Sequence, residues 1–248
     1  MTDNKKFIVE HFDEMKIGLD ETFRFHCTAC GKCCIHREDI ILSPKDVYRA
    51  AKKLRFTPEQ FIRQHGETYI GPDSRLPLVR LHPLGPDKRC PLLKGKLCSI
   101  HDSKPSVCAM FPLGRTMVDE ALLHGEAEMG ALNEKKLVYL LTDPQCGDQS
   151  EIHTVREWLG SFHIPEEDVY FLKWTDFFTE CSVFLRREEK GCSEKIMNQL
   201  WSIYFQAIFL NYDMDEAFEP QFDRNTGDYL ELIRSLEKLL PKEDEVHG

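Results

Sequence analysis

The segment Cys27-Thr28-Ala29-Cys30-Gly31-Lys32-Cys33-Cys34 puts four thiols into eight residues, and no other stretch constrains the fold as strongly. A C-x2-C step carries two thiolates around one turn towards a soft metal, and zinc, copper(I) and iron–sulfur clusters are the usual occupants. Three cysteines at this interval also suit three corners of a cubane cluster. Neighbouring side chains tend to diverge, so Cys33 and Cys34 are expected to serve different metals or different corners. Six more cysteines follow, at 90, 98, 108, 146, 181 and 192, for a total of ten. In a short exported chain an even count would suggest disulfides. Here Met1–Lys6 leads into no signal-peptide core and 248 residues can bury a core without staples, so the expectation is a soluble, cytoplasmic chain with reduced thiols.

The second concentration of chemistry runs from Cys90 to Leu113. A tight turn at Lys94-Gly95-Lys96 predicts a hairpin that brings Cys90 and Cys98 together, and a turn bracketed by Pro105 and Pro112 returns Cys108 towards them. Cys146 stands on a loop marked by Asp143-Pro144 and Gly147, which suits a closing ligand. The candidate metal ligands are therefore Cys27, Cys30, Cys33, Cys34, Cys90, Cys98, Cys108 and Cys146, enough for two four-thiolate sites or one larger unit. His101, between two of these cysteines, is the histidine best placed to substitute; His26 and His36 read as surface or hydrogen-bonded residues. Cys181 and Cys192 fall in helical sequence and read as ordinary thiols. The C-x2-C-x2-C interval favours an iron–sulfur centre of the [4Fe–4S] type, and Zn2+ is the alternative.

These motifs together resemble the YkgJ family of cysteine-cluster proteins, described as zinc- or iron-chelating. The resemblance rests on Cys27–Cys34, Cys90-Pro91-Leu92-Leu93, Cys98-Ser99-Ile100-His101, Lys104-Pro105-Ser106-Val107-Cys108 and Phe111-Pro112-Leu113, with Lys104 where the family usually has arginine. Asp143–Gly147 and His153–Leu159 resemble members that carry a helical C-terminal extension. The resemblance implies metal binding but no settled reaction. Flagellin lysine methylases carry a similar cluster, which would imply a role in protein modification.

Charge divides unevenly along the chain. Residues 1–118 hold 20 Lys/Arg against 14 Asp/Glu, and residues 119–248 hold 12 against 28. A basic half can signal nucleic acid, but no stripe of interleaved basic and aromatic residues accompanies it. Lys32, Arg37, Lys88, Arg89, Lys94, Lys96, Lys104 and Arg115 crowd around the cysteines instead, where cations would lower thiol pKa values and offset thiolate charge. The expected partner is a protein, or a protein or peptide substrate, with neither nucleic acid nor membrane involved. The apolar runs Val138–Leu141 and Ala207–Leu210 are far too short to span a bilayer. Phosphate-binding loops, dinucleotide fingerprints, H-E-x-x-H and G-x-S-x-G are all absent.

The predicted fold class is α+β. A cysteine-rich core of loops, hairpins and short helices over residues 1–160 is followed by a helical C-terminal extension, 161–248, packed on it. Phe23 and Phe25 alternate as in a short strand before Cys27. Ser43-Pro44-Lys45-Asp46 and Thr57-Pro58-Glu59-Gln60 start two helices, the second stopped by Gly66. Strands are expected within 67–82 and 137–142, a helix after the capping box Thr154–Glu157, and longer helices over 169–185, 193–211 and 226–240. Three functions fit this pattern: an iron–sulfur protein for redox or partner-dependent chemistry, a structural zinc module that binds proteins, and a metal-dependent enzyme acting on a peptide or small substrate.

Overall fold

The structure is a computed structural model and describes residues 10–38, 40–118 and 136–238. Along the chain come α1 (Phe12–Met15), β1 (Lys16–Ile17), β2 (Thr22–His26), β3 (Ile41–Leu42), α2 (Pro44–Leu54), α3 (Pro58–His65), β4 (Gly66–Ile70) and β5 (Pro77–Leu81). They are followed by β6 (Leu93–Lys94), β7 (Leu97–Cys98), α4 (Ser106–Met110), β8 (Leu113–Val118), β9 (Lys136–Leu141), β10 (Asp148–Thr154) and α5 (Val155–Ser161). The long helices α6 (Val169–Gly191), α7 (Glu194–Phe205) and α8 (Phe218–Glu237) complete the described chain. Four small antiparallel sheets, in the orders β1-β9-β8, β10-β2, β3-β5-β4 and β6-β7, make this an α+β fold with a helical C-terminal region.

The chain forms two compact units, and each is discontinuous in sequence. Unit one comprises Met1–Arg37 and Leu84–Leu172; unit two comprises Glu38–Pro83 and Lys173–Gly248. A boundary at residue 160 therefore lies inside α5 of unit one, while residues 38–83 group with the C-terminal helices. All eight candidate ligands belong to unit one, and Cys181 and Cys192 belong to unit two.

The core of unit one is aromatic. Phe23 and Phe25 point inward from β2, where alternate residues share a face, and meet the Trp158 ring edge-on at centroid distances of 5.8 and 5.6 Å. Trp158 Nε1 donates to the Met110 carbonyl at 3.0 Å, which ties α5 to the end of α4. Thr154 and Glu157 complete the expected capping box at the start of α5. The strand β10 had no counterpart in the sequence reading: Asp148–Thr154 is polar and largely exposed, and it becomes a strand through its pairing with β2.

In unit two, both predicted capping boxes form, Ser43 with Asp46 and Thr57 with Gln60, with proline in the first turn. Gly66 ends its helix in an extended conformation, φ −109°, so the residue continues directly into β4 and supplies no left-handed cap. It is needed for closeness: a Cβ there would stand 3.0 Å from the Ile62 Cα. Helix α8 starts eight residues before the expected position 226, because Pro220 falls in its first turn, where proline is tolerated, and Phe218 and Phe222 are buried. The expected extension to 240 lies outside the described residues. Helix α7 passes into a π-helical turn at Gln206–Leu210, which buries Ile208 and Phe209.

Candidate metal centre

The two cysteine-bearing stretches are brought together by backbone contacts. The chain leaves unit one after Arg37 and re-enters at Leu84. Across that stem the His36 N–H donates to the Asp87 carbonyl at 3.0 Å, and the Cys90 N–H donates to the Cys34 carbonyl at 2.8 Å. The long sequence gap between Cys34 and Cys90 is thus an excursion into unit two whose ends return to one point. Beyond the stem, Leu93 pairs with Cys98 across the β6–β7 hairpin, as the Lys94-Gly95-Lys96 turn predicted. The Ser99 N–H donates to the Leu92 carbonyl at 2.8 Å, extending that closure.

Cys27 follows directly on β2, and Cys146 and Gly147 directly precede β10. The antiparallel pairing His26↔Asp148 therefore sets the two loops side by side. Gly147 is indispensable at this contact. Its φ is +72°, and a Cβ would fall 2.5 Å from the His26 carbonyl oxygen and 2.7 Å from Phe25 Cε2. The Gly147 N–H, together with that of Lys32, donates to the Cys30 sulfur and lowers the Cys30 pKa. Gly31 provides a second left-handed turn, φ +74°, just before the 3-10 turn Lys32–Cys34.

Cys33 and Cys34 form the junction, with their sulfurs 3.8 Å apart. The hydrogen bond between the two sulfurs lowers the Cys33 pKa and raises that of Cys34, and Lys104 and Arg37 add to the lowering at Cys33. Cys33 also interacts with Cys146, and Cys146 is pushed up to about 11 by burial and then by the negative charge of Cys33, Cys30 and Cys27. On the other side, Cys34 is raised further by Cys90 and Cys108, while Cys90 is raised by burial and then by Cys98. All eight cysteines singled out in the sequence thus belong to one connected set of thiols. Cys27 is exposed, the other seven are half-buried, and every one is a free thiol.

Thiolate sulfur is the donor type that zinc and iron–sulfur centres select, so the residues fit such a group chemically. Among the described residues no three His, Cys, Asp or Glu side chains stand in a finished metal-binding arrangement, so convergence on a metal requires the thiols to turn. His101 lies against Phe162 at 6.3 Å between ring centroids, with its pKa lowered by burial and then by Lys104. His26 bonds Glu151 at 2.8 Å and its pKa is raised by that contact, so the carboxylate accounts for its polar partner. The sequence reading missed Glu151, which sits in the bulge of β10 and reaches both His26 and His153, the latter at 3.4 Å. An open cleft of about 650 Å³ lies beside the Cys146 loop, with Arg24, Asp143, Pro144, Gln149 and Ile152 among its walls and Phe23 also lining it.

No described helix is long and apolar enough to cross a membrane. No curated protein and no solved structure matches the chain significantly. Residues 26–138 match the CxxCxxCC family, described as a "putative zinc- or iron-chelating domain", and this span takes in seven of the eight thiols, leaving Cys146 beyond its end. Over residues 26–138, somewhat under half of its length, the chain is similar to this cysteine-cluster family, in agreement with its motifs.

Proposed function

We propose that the chain carries an iron–sulfur centre of the [4Fe–4S] type, used for redox or partner-dependent chemistry. The observation that carries this reading is the placement of Cys146 beside the C-x2-C-x2-C loop, through the His26↔Asp148 pairing and the close approach of Gly147. Three thiols at this spacing with a fourth from a distant loop make a donor set that suits a cubane. When bound, such a group supplies one-electron transfer. The chain's own part is to hold and balance the thiolates. Backbone N–H groups of Lys32 and Gly147 fix the Cys30 sulfur, and Arg37 and Lys104 offset the charge at Cys33.

In this reading the chain works in the cytoplasm, where its thiols stay reduced, and its partner is an acidic protein. Support for the partner comes from two turns next to Cys90 and Cys98. Arg89 Nη2 bonds the Gly95 carbonyl at 3.4 Å and joins the turn 84–89 to the β6–β7 hairpin. The joined turns expose Lys94, Lys96, Leu84 (48%) and Leu97 (61%), and among the described residues neither Lys94 nor Lys96 has a carboxylate partner.

The test is purification of the full chain without oxygen, followed by quantification of iron, zinc and acid-labile sulfide and a visible spectrum. Iron and sulfide in equal amounts with broad visible absorption are expected, and Cys192→Ala is expected to leave both unchanged. Stoichiometric zinc without sulfide would refute the iron–sulfur reading.

A further inference from the structure

We propose that the cleft beside the Cys146 loop is a peptide-docking site, in which an extended segment of a partner protein adds as a third strand to the free edge of β2 and places an acidic side chain on Arg24. The proposal deepens the preceding reading: it rests on that reading for there being a protein partner, and on nothing in it about the metal or about Lys94 and Lys96.

The free edge follows from the register of β2. Thr22, Phe23 and Arg24 pair with Thr154, His153 and Ile152 of β10. One step further along the same register the Val155 N–H donates to the Glu21 carbonyl at 3.3 Å, and His153 Nε2 bonds the Phe25 carbonyl at 2.9 Å. The main-chain polar groups of Glu21, Phe23 and Phe25 are therefore turned towards β10, since antiparallel bonding alternates along a strand. Those of Thr22 and Arg24 point to the opposite edge, where among the described residues no strand pairs with β2. The cleft of about 650 Å³ runs along that edge. Thr22, Phe23 and Arg24 all line it, and residues whose side chains alternate between two faces border one cleft together at the edge of their strand. Residues 141–144 form the facing wall. An open cleft along an unpaired strand offers main-chain hydrogen bonds to an extended peptide, whereas a small molecule needs fuller enclosure.

The side chains specify the peptide. Thr22 and Arg24 share the face of β2 opposite Phe23 and Phe25, and Arg24 lies across from Ile152, which is 56% exposed. Arg24 is itself exposed, and its Nη1 donates to the Gln149 carbonyl at 3.3 Å, a bond that holds the guanidinium over the sheet without neutralising it. Among the described residues no carboxylate pairs with Arg24. A Glu of the incoming strand supplies one, and hydrogen bonds from guanidinium to carboxylate are stronger than neutral ones. Ile152 and Pro144 offer apolar surface to its β-branched neighbours. Asp143, on the facing wall, repels further acids. A single Glu among uncharged, β-branched residues is thus the sequence that fits this cleft.

The test uses the full chain, purified without oxygen, and the fluorescein-labelled peptide Thr-Val-Glu-Val-Thr, with binding followed by anisotropy. The parent is expected to bind it, Arg24→Glu to weaken binding at least tenfold at unchanged metal content, and Lys94→Glu/Lys96→Glu to bind as the parent does. Two further peptides carry N-methyl groups, one on both valines and the other on the Glu and the last Thr. A peptide added as a strand turns only one of these sets of amides towards β2, so one methylated form loses binding and the other keeps it. No saturable binding by the parent, equal binding by Arg24→Glu, or equal binding of the two methylated peptides would overturn the proposal. Loss of the peptide in Lys94→Glu/Lys96→Glu with Arg24→Glu unaffected would move it to the hairpin tip and overturn the cleft as its site. Zinc in place of iron and sulfide would refute the iron–sulfur reading and leave the expected binding as it is, so the two failures are told apart.

Discussion

Gly147→Ala should break the contact that sets Cys146 beside Cys27, and its cost can be worked from two separate terms. Gly147 has φ +72°, and an L residue in the left-handed region costs about 1–2 kcal/mol. The new Cβ would also stand 2.5 Å from the His26 carbonyl oxygen and 2.7 Å from Phe25 Cε2. One neighbour is backbone and the other is a buried ring, so the strand must shift, and overpacking of this kind costs about 1–3 kcal/mol. The sum is about 2–5 kcal/mol, a large share of an ordinary domain's stability. Gly95→Ala is the internal control: φ is +63°, yet nothing lies within 4 Å of the added Cβ. Its cost should be the conformational term alone, about 1–2 kcal/mol. Urea unfolding of the reduced, metal-free chain measures both, with Trp158 as the unit-one reporter once Trp174 and Trp201, the other two tryptophans, are replaced by phenylalanine. If Gly147→Ala unfolds at the same urea concentration as Gly95→Ala, the close-approach argument is wrong. Metal analysis of the same variants purified without oxygen and without chelator gives a second readout: Gly147→Ala should lose bound metal and Gly95→Ala should keep it.

Arg115 and Asp168 form an ion pair at 2.8 Å with side chains only 5% and 9% exposed, so Asp168→Ala, which strands a buried cation, should cost about 3–5 kcal/mol by urea unfolding. The double variant Arg115→Met/Asp168→Leu should be clearly milder, and equal losses would argue against the buried-charge account. Glu189 is bonded through both oxygens by Arg75, which lowers its pKa below 4.5, so its contribution is present above pH 4.5 and disappears as pH falls through the folded-state value. Glu189→Gln should therefore flatten the acid limb of unfolding followed by Trp201 emission, since Trp201 Nε1 bonds the Arg75 carbonyl at 2.8 Å; an unchanged limb would remove Glu189 from the explanation. A fluorescein-labelled peptide rich in Glu and Leu should bind the chain by anisotropy, weaken on going from about 0.01 to 0.15 M salt, and lose binding in Lys94→Glu/Lys96→Glu at unchanged metal content. Binding that ignores the charge reversal would sink the acidic-partner reading.

What the sequence made legible was local. The capping boxes at Ser43, Thr57 and Thr154 and the hairpin at Lys94-Gly95-Lys96 form where the residues place them, because each is settled within a few positions. Strands β8 and β10 escaped. Leu113–Val118 is partnered only through β9, and Asp148–Thr154 is mostly exposed and follows β2 across a bulge, so neither shows a pattern of its own. The division into units was illegible for the same reason. Nothing in residues 38–83 announces that β3, β4 and β5 join the C-terminal helices, since that grouping is written in contacts between distant segments. Metal-ligand spacing, by contrast, is chemistry that repeats in sequence, and all eight expected thiols lie in unit one.

The basic character of the cysteine-rich half also resolves into separate physical roles. Of the cations that crowd these motifs, Arg37 and Lys104 act on Cys33. Arg115 is turned inward, balanced by Asp168 and stacked over Phe171 with 4.1 Å to the ring centroid, so its charge serves packing between β8 and the start of α6. Arg89 is used to join two turns, and Lys94 and Lys96 stand at the hairpin tip in solvent. Arg37 and Lys104 thus offset charge at Cys33 itself, whereas among the described residues Lys94 and Lys96 have no carboxylate partner. Their position beside Cys90 and Cys98 puts positive charge next to the cysteine-bearing loops, the charge on which the proposal of an acidic partner rests.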